Sequence, residues 1–201
     1  MENADNKNYN SVFTTLGATN HSKEERQKED YYATEPRAMT LLLNEETFNS
    51  QIWECAVGSG ELAYELEKAG YKVFGSDIID RGYPNTSIID FLKTDGEIGI
   101  KNFDIITNPP YKNASEFVEK GMSILPLGNK MAFFLKLQFL EGQKRRELFK
   151  KYPPKTVYVS SARLTCAKNG DFEKYKSSAI AYAWFVWEKG WYGHPIIKWI
   201  N

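Results

Sequence analysis

Between residues 51 and 140 the chain alternates between two hydrophobic periods. The segments "QIWECAV" (51–57), "YKVFGSDI" (71–78), "TSIIDFL" (86–92), "FDIITN" (103–108) and "KMAFFLKLQFL" (130–140) are short apolar runs with strand composition. Between them lie "ELAYELEKAG" (61–70) and "ASEFVEKGMSIL" (114–125), with helical spacing. In the first of these Leu62, Leu66 and Ala69 share a face, and Gly70 is a C-terminal stop. Strands separated by helices are joined by crossovers, and crossovers lay strands parallel in a sheet covered on both faces.

The flanks complete the expected architecture. A helix is expected from Thr34-Glu35-Pro36 onward, with Thr34 as N-cap and Pro36 in the first turn, followed by "RAMTLLLNEE". "KRRELFKKY" (144–152) reads as a short basic helix. "KTVYVSS" (155–161) and "SAIAYAWFVWEKG" (178–190) read as strands with no helical pattern between them, hence as an antiparallel hairpin at the sheet edge. The expectation is an α/β fold with a mixed seven-stranded sheet and that edge hairpin. Residues 1–29 are polar and of mixed charge, an arm preceding one domain over 30–201.

Composition bounds the setting. The 201 residues suffice for one full core. No apolar run approaches the roughly 20 residues of a membrane span. "MENADNKNYN" lacks the pattern of a signal peptide, and Cys55 and Cys166 make no disulfide framework, so a reduced, cytoplasmic protein is expected. His21 and His194 are too few and too far apart to suggest a metal site. The net charge is zero, yet residues 136–201 hold 13 Lys/Arg against 5 Asp/Glu. An acidic front and a basic back suggest an anionic partner for the last third.

Three strand ends carry chemistry. "WECAVGSGEL" (53–62) is strand, glycine turn and helix, with Gly58 and Gly60 permitting close approach of a ligand and Glu54 just before the turn. The missing third glycine argues against a dinucleotide pyrophosphate. Asp77, ending the next strand, is placed to accept from both ribose hydroxyls. Asp90, ending the third, is placed to accept from an adenine amine, with Phe91 available to stack on the ring. Each acid alone could be a turn residue; three on one sheet edge fit an adenosine ligand better.

"NPPY" (108–111) follows the fourth strand and opens onto the same edge. Asn108 offers a side-chain carbonyl and Pro109 a backbone carbonyl, two acceptors for the two hydrogens of a planar amine. Pro110 stiffens the turn, and Tyr111 offers a flat face to an aromatic ring. Such an amine is a poor nucleophile until its lone pair is drawn out of conjugation, and positioned carbonyl dipoles do this without a base of shifted pKa.

With these stretches the chain resembles the class I S-adenosylmethionine-dependent methyltransferases, and more narrowly the small phage and prophage DNA N6-adenine methyltransferases. "DYYATEP" (30–36) resembles the N-terminal motif beside the methionine part of the cofactor, which would place Tyr32 and Thr34 there. "WECAVGSGEL", including Ala56, resembles the cofactor glycine loop, and "GSDI", with Asp77 and Ile78, the ribose motif. "IIDFL" resembles the adenine segment, "NPPY" the catalytic tetrapeptide, and "AYAWFVWEKGWYGHPIIKWI" (181–200) the C-terminal hairpin. The resemblance implies a Rossmann-like class I methyltransferase fold, S-adenosylmethionine as cofactor and double-stranded DNA with a flipped base as substrate.

RNA and protein-glutamine methyltransferases also use NPPY, and a silent nucleic-acid-binding protein on the same fold is a further alternative. Residues 141–180 leave no room for a sizeable recognition domain, so only 164–178 could read bases, and a short or relaxed target is expected. Lys144, Arg145, Arg146, Lys150 and Lys151, with Arg163, Lys168, Lys174 and Lys176, are the candidate phosphate contacts.

Overall fold

The computed structural model of the chain describes residues 31–168, 170–173 and 179–201. The expected arm at 1–29 lies outside these residues, as do Lys174 and Lys176 and much of the 164–178 segment. The strands are β1 (Tyr32–Thr34), β2 (Gln51–Glu54), β3 (Lys72–Asp77), β4 (Ser87–Ile88), β5 (Asp104–Thr107), β6 (Lys130–Lys136), β7 (Thr156–Ser160), β8 (Cys166–Lys168), β9 (Tyr182–Glu188) and β10 (Ile196–Ile200). The helices are α1 (Arg37–Leu43), α2 (Glu61–Lys68), α3 (Ala114–Ile124) and α4 (Gln143–Lys151), with short 3-10 turns at Tyr111–Asn113 and Leu137–Leu140.

Eight strands form one sheet in the order β10-β7-β9-β6-β5-β2-β3-β4, and β1 and β8 form a separate antiparallel ribbon. Only β9 runs against the rest of the large sheet, between β6 and β7. The mixed α/β sheet read from the sequence is therefore present, with eight strands in place of seven. The added strand is β10, parallel to β7.

This changes the expected C-terminal end. β7 and β9 do pair antiparallel, but β9 is interior and β10 forms the edge. Residues 181–200 are likewise no hairpin, because β7 separates β9 from β10. The physical reason lies in the side chains. Trp184, Phe185, Val186 and Trp187 are fully buried, so β9 is apolar on both faces and must be covered on both. Ile196, Ile197 and Trp199 are exposed, as an edge strand allows.

Alternation along the central strands divides two cores. Trp53, Ile105, Phe133 and Phe185 face one side with Phe117, Val118 and Met122 of α3. Ile52, Ile106, Phe134 and Trp184 face the other, with Met39 and Leu42 of α1 and Leu62 and Leu66 of α2. Ala69, expected on the buried face of α2, caps its C-terminus and is exposed; Gly70 follows with φ +91°, as its role as a stop requires. Thr34 does not cap α1. It pairs with Cys166 in the ribbon, and Pro36 stands at the helix start instead. No helix among the described residues is long and apolar enough to cross a membrane.

The order places a topological switch between β2 and β5. From β2 the chain winds outward to β3 and β4, then returns to the other side of β2 as β5. The carboxyl ends of β2 and β5 thus flank the crevice where parallel sheets hold ligands.

Candidate active site

The glycine loop after β2 is tight, and its conformation has a visible cause. Gly58 and Gly60 have φ +57° and +95°. A Cβ on Gly58 would meet the Tyr31 ring at 2.2 Å, and one on Gly60 the Tyr83 ring at 2.4 Å. The room expected for a ligand is thus partly taken by the chain's own aromatic rings. The loop N–H groups are also engaged: Gly58 donates to Asp77 Oδ2 (2.9 Å), Ser59 to Tyr31 Oη (3.2 Å) and Gly60 to the Val57 carbonyl (2.9 Å). Glu61 sits in the first turn of α2 and accepts from Ser59 Oγ and from Tyr31 Oη, at 2.6 and 2.5 Å. A carboxylate on the positive end of a helix already answers its dipole, so this turn is unsuited to a phosphate.

Tyr31 was not singled out by the sequence reading. Its burial and its bond to the Glu61 carboxylate raise its hydroxyl pKa well above the ordinary value. The doubled tyrosine in "DYYATEP" was the available signal: neighbours on an extended chain face opposite ways, so Tyr31 reaches the glycine loop while Tyr32 is exposed.

The expected acids occupy the carboxyl edge in unequal states. Glu54 is 1 % exposed; its Oε1 accepts from the Ala56 N–H (3.2 Å) and its Oε2 has no hydrogen-bond partner among the described residues. Burial pushes its carboxyl up to about 8, with the negative charges of Asp77 and Glu61 adding to the rise and the Ala56 N–H opposing it. Asp77 braces the loop through Gly58 and accepts from the Ile79 N–H (3.3 Å). Asp90 accepts from the Leu92 N–H (3.1 Å) and pairs with Lys93 at 2.7 Å, which lowers its pKa. Ala56 is half-buried and Ile78 exposed.

Phe91 does not lie open for stacking. It is buried against Trp53 and Phe117, with ring centroids 5.1 and 4.9 Å away. An aromatic one residue after a turn acid reads alike from sequence whether it faces ligand or core; here the core takes it.

The tetrapeptide stands at the end of β5 under the β1–β8 ribbon. Asn108 Nδ2 donates to the Tyr32 carbonyl (3.0 Å) and to Thr34 Oγ1 (2.8 Å), while Asn108 Oδ1 is buried with no partner among the described residues. Pro109 is buried and Pro110 exposed; the Pro110 carbonyl accepts from the Asn113 N–H (2.9 Å). The Tyr111 hydroxyl turns inward to Cys166 Sγ (3.3 Å), and its ring packs 6.0 Å from that of Tyr182. The Lys136 ammonium lies 5.1 Å from the Tyr111 ring centroid, so the ring is not the bare platform expected. Cys166, a buried thiol whose pKa burial raises, is a neighbour of the site that sequence spacing did not bring there.

Three buried side-chain atoms lack partners among the described residues: Glu54 Oε2, Thr107 Oγ1 and Asn108 Oδ1. All three belong to the carboxyl ends of β2 and β5, the two strands at the switch.

The basic residues separate by position. α4 leaves the carboxyl edge after β6 and returns to the amino edge, where the Tyr152 carbonyl accepts from Trp187 Nε1 (3.0 Å) and Trp187 pairs with Met131 at the start of β6. Lys144, Arg145 and Arg146 therefore lie toward the tetrapeptide, and Lys150 and Lys151 at the far end. Lys150 pairs with Glu147 at 2.7 Å and Lys151 lies over the Tyr152 ring. Arg145 donates to the Glu141 and Gln138 carbonyls (2.6 and 3.2 Å), a local cap. A groove of about 650 Å³ beside the tetrapeptide is lined by Lys136, Gln138, Glu141, Arg163 and Ile180 among others, with Arg163 exposed. Lys168 lies in β8.

No family model matches the chain, and no curated protein matches it. Solved structures do. It is similar to the modification subunit of a proposed type I restriction enzyme from Vibrio vulnificus YJ016 (12 % identity, TM-score 0.58), over 87 % of this chain and 48 % of that one, so it spans about half that protein's length. It is also similar to a proposed hemolysin from Lactococcus lactis (10 % identity, TM-score 0.58), over 81 % of this chain and 91 % of that one. A third likeness is to a proposed class I S-adenosylmethionine-dependent methyltransferase from Listeria monocytogenes (14 % identity, TM-score 0.53), over 80 % of this chain and 62 % of that one. The fold is that of the class I methyltransferases.

Proposed function

We propose that the chain transfers a methyl group from S-adenosylmethionine to the exocyclic N6 amine of adenine in DNA, at a short or relaxed target, with residues 30–201 as one catalytic domain. The observation that carries this is Asn108 Oδ1, a buried amide oxygen at the switch point with no partner among the described residues. A buried acceptor left unmade costs about 1–3 kcal/mol, so it is kept where a ligand donor will meet it.

The residues of the edge fit the cofactor. Glu54 Oε2 is a second unmet acceptor, suited to the ammonium of the methionine moiety. Asp77 and Asp90 keep lone pairs for ribose hydroxyls and the adenine amine, beside Ile78. The carboxylate on the α2 N-terminus disfavours a pyrophosphate and with it a nicotinamide dinucleotide. When bound, the cofactor supplies a sulfonium-activated methyl group. Asn108 Oδ1 and the Pro109 carbonyl accept the two amine hydrogens and direct the nitrogen lone pair toward that group. One N–C bond forms as one S–C bond breaks, and a proton passes from the amine to water. The base must leave the stack to arrive there, next to Tyr111.

DNA is favoured by the likeness to a restriction-enzyme modification subunit and by Lys136, Lys144, Arg146 and Arg163 near the tetrapeptide end of the molecule. The test is incubation with labelled S-adenosylmethionine and, separately, plasmid DNA, RNA and protein, followed by nucleoside and amino-acid mass spectrometry. N6-methyladenine in the plasmid is the expected product. Label confined to RNA or to glutamine overturns the substrate, and no label in any arm overturns the activity.

A further inference from the structure

An amide can present either its oxygen or its nitrogen, and the proposed chemistry needs the oxygen of Asn108. Both Nδ2 hydrogens have acceptors on β1: the Tyr32 carbonyl at 3.0 Å and Thr34 Oγ1 at 2.8 Å. A flipped amide would set Oδ1 against the Tyr32 carbonyl oxygen, acceptor against acceptor, and would exchange two donated bonds for at most one accepted from the Thr34 hydroxyl. The atom left facing the crevice is then Oδ1, the one without a partner among the described residues.

We propose that β1 sets the orientation of the catalytic amide, and that Thr34 is a positioning residue for methyl transfer rather than a contact of the cofactor's methionine end. The inference rests on reading Asn108 Oδ1 as the acceptor for the target amine. Thr34 is built for the task. It is 2 % exposed, it pairs with Cys166 across the ribbon, and Cys166 in turn meets the Tyr111 hydroxyl at 3.3 Å. The ribbon is thereby tied to the tetrapeptide at both its first and last residues. The Tyr32 carbonyl would hold the amide from the main chain, so removal of the Thr34 hydroxyl loosens the orientation without abolishing it.

The experiment compares Thr34→Val, Thr34→Ser and Asn108→Ala in the full chain with plasmid DNA and S-adenosylmethionine. It measures kcat, KM for DNA, the cofactor dissociation constant by calorimetry, and the melting temperature. Thr34→Val is expected to lower kcat about tenfold, the worth of one such hydrogen bond, with KM and cofactor affinity unchanged. Thr34→Ser restores kcat, which a purely steric role for the threonine methyl does not allow. Should the valine variant unfold, Thr34→Ala removes the same hydroxyl and is expected to show the same fall in kcat. Wild-type kcat in these variants, with Asn108→Ala inactive, overturns the inference and leaves the proposed function standing. Weakened cofactor binding at unchanged kcat also overturns it, and returns Thr34 to the cofactor. Full activity of Asn108→Ala removes the premise and the inference together.

Discussion

Asp104 and Glu54 are both buried carboxylates on the two strands that flank the switch, at opposite ends of the sheet. Asp104 begins β5. Its two oxygens accept from the Asn49 and Lys130 N–H groups, each at 2.7 Å, and so join the starts of neighbouring segments. Glu54 ends β2, with one oxygen bonded and one not. Nearby at the amino edge the Lys130 ammonium pairs with Glu46 at 2.6 Å, and the Tyr158 hydroxyl donates to the same carboxylate at 2.6 Å. The amino edge closes its polar groups on one another; the carboxyl edge leaves acceptors unmet. The same residue type is thus fully satisfied at one end and half-satisfied at the other, the difference expected between a fastener and the proposed receptor.

The largest effect expected from breaking this contrast is at Asn108. Asn108→Ala removes the receptor without cutting a structural bond beyond those to β1, so methylation is expected to fall by about 10²–10³-fold, as for loss of one preorganised polar group. Cofactor affinity and melting temperature stay near wild type. A parallel loss of stability and activity would instead make the tetrapeptide a rigid turn. At the other edge, Asp104→Ala leaves two half-buried N–H groups without their acceptor, a cost of roughly 1–3 kcal/mol. Denaturant unfolding should show this drop, while kcat of the molecules that remain folded is unchanged. Normal stability in that variant would erase the distinction between the edges.

A milder test follows from the protonation of Glu54. Its folded-state pKa is raised from 4.5 to about 8, so the native state binds the extra proton. Stability is then greatest below the unfolded value and falls as pH rises through the interval to about 8, by at most about 1.4 kcal/mol per pH unit. Glu54→Gln should flatten that decline. It should also weaken S-adenosylmethionine, most at the alkaline end where the ionised carboxylate would meet a cation. Chemical denaturation and calorimetry at several pH values measure both. An unchanged slope in the glutamine variant would show that another group governs the decline.

What could be read from the sequence follows the same division. The parallel strands, the glycine turn and the positions of Asp77 and Asn108 at strand ends were legible because period and strand-end position are local. The partners of those groups were not. Nothing in the spacing of Cys166 or Lys136 brings them to Tyr111, since that contact is made by the β1–β8 ribbon and by the end of β6. Phe91 was misread as a stacking ring because its neighbours Trp53 and Phe117 come from other elements. The segment of β10 was read only as part of a hairpin with β9, because nothing in the local pattern of Ile196, Ile197 and Trp199 names β7 as its partner.

The smallest effect expected is none, and it concerns a charge cluster that sequence alone treats as one. Lys144, Arg145, Arg146, Lys150 and Lys151 all lie along α4, yet the helix leads from the carboxyl edge toward the amino edge and separates the first three from the last two. Arg146→Gln or Arg163→Gln removes an exposed cation from the edge that bears the tetrapeptide. Removal of one cation that pairs with a DNA phosphate should reduce the slope of log Kd against log salt by about one. Lys150→Gln with Lys151→Gln removes two charges at the far edge, where one is paired with Glu147 and the other lies over Tyr152. Its salt slope for DNA should equal that of the wild-type chain, because those two side chains stand a helix length from the crevice. Fluorescence anisotropy with a labelled duplex at a series of salt concentrations resolves the difference. A reduced slope in the lysine pair, with none in the arginine variants, would mean that DNA approaches the amino edge and that the tetrapeptide does not face it.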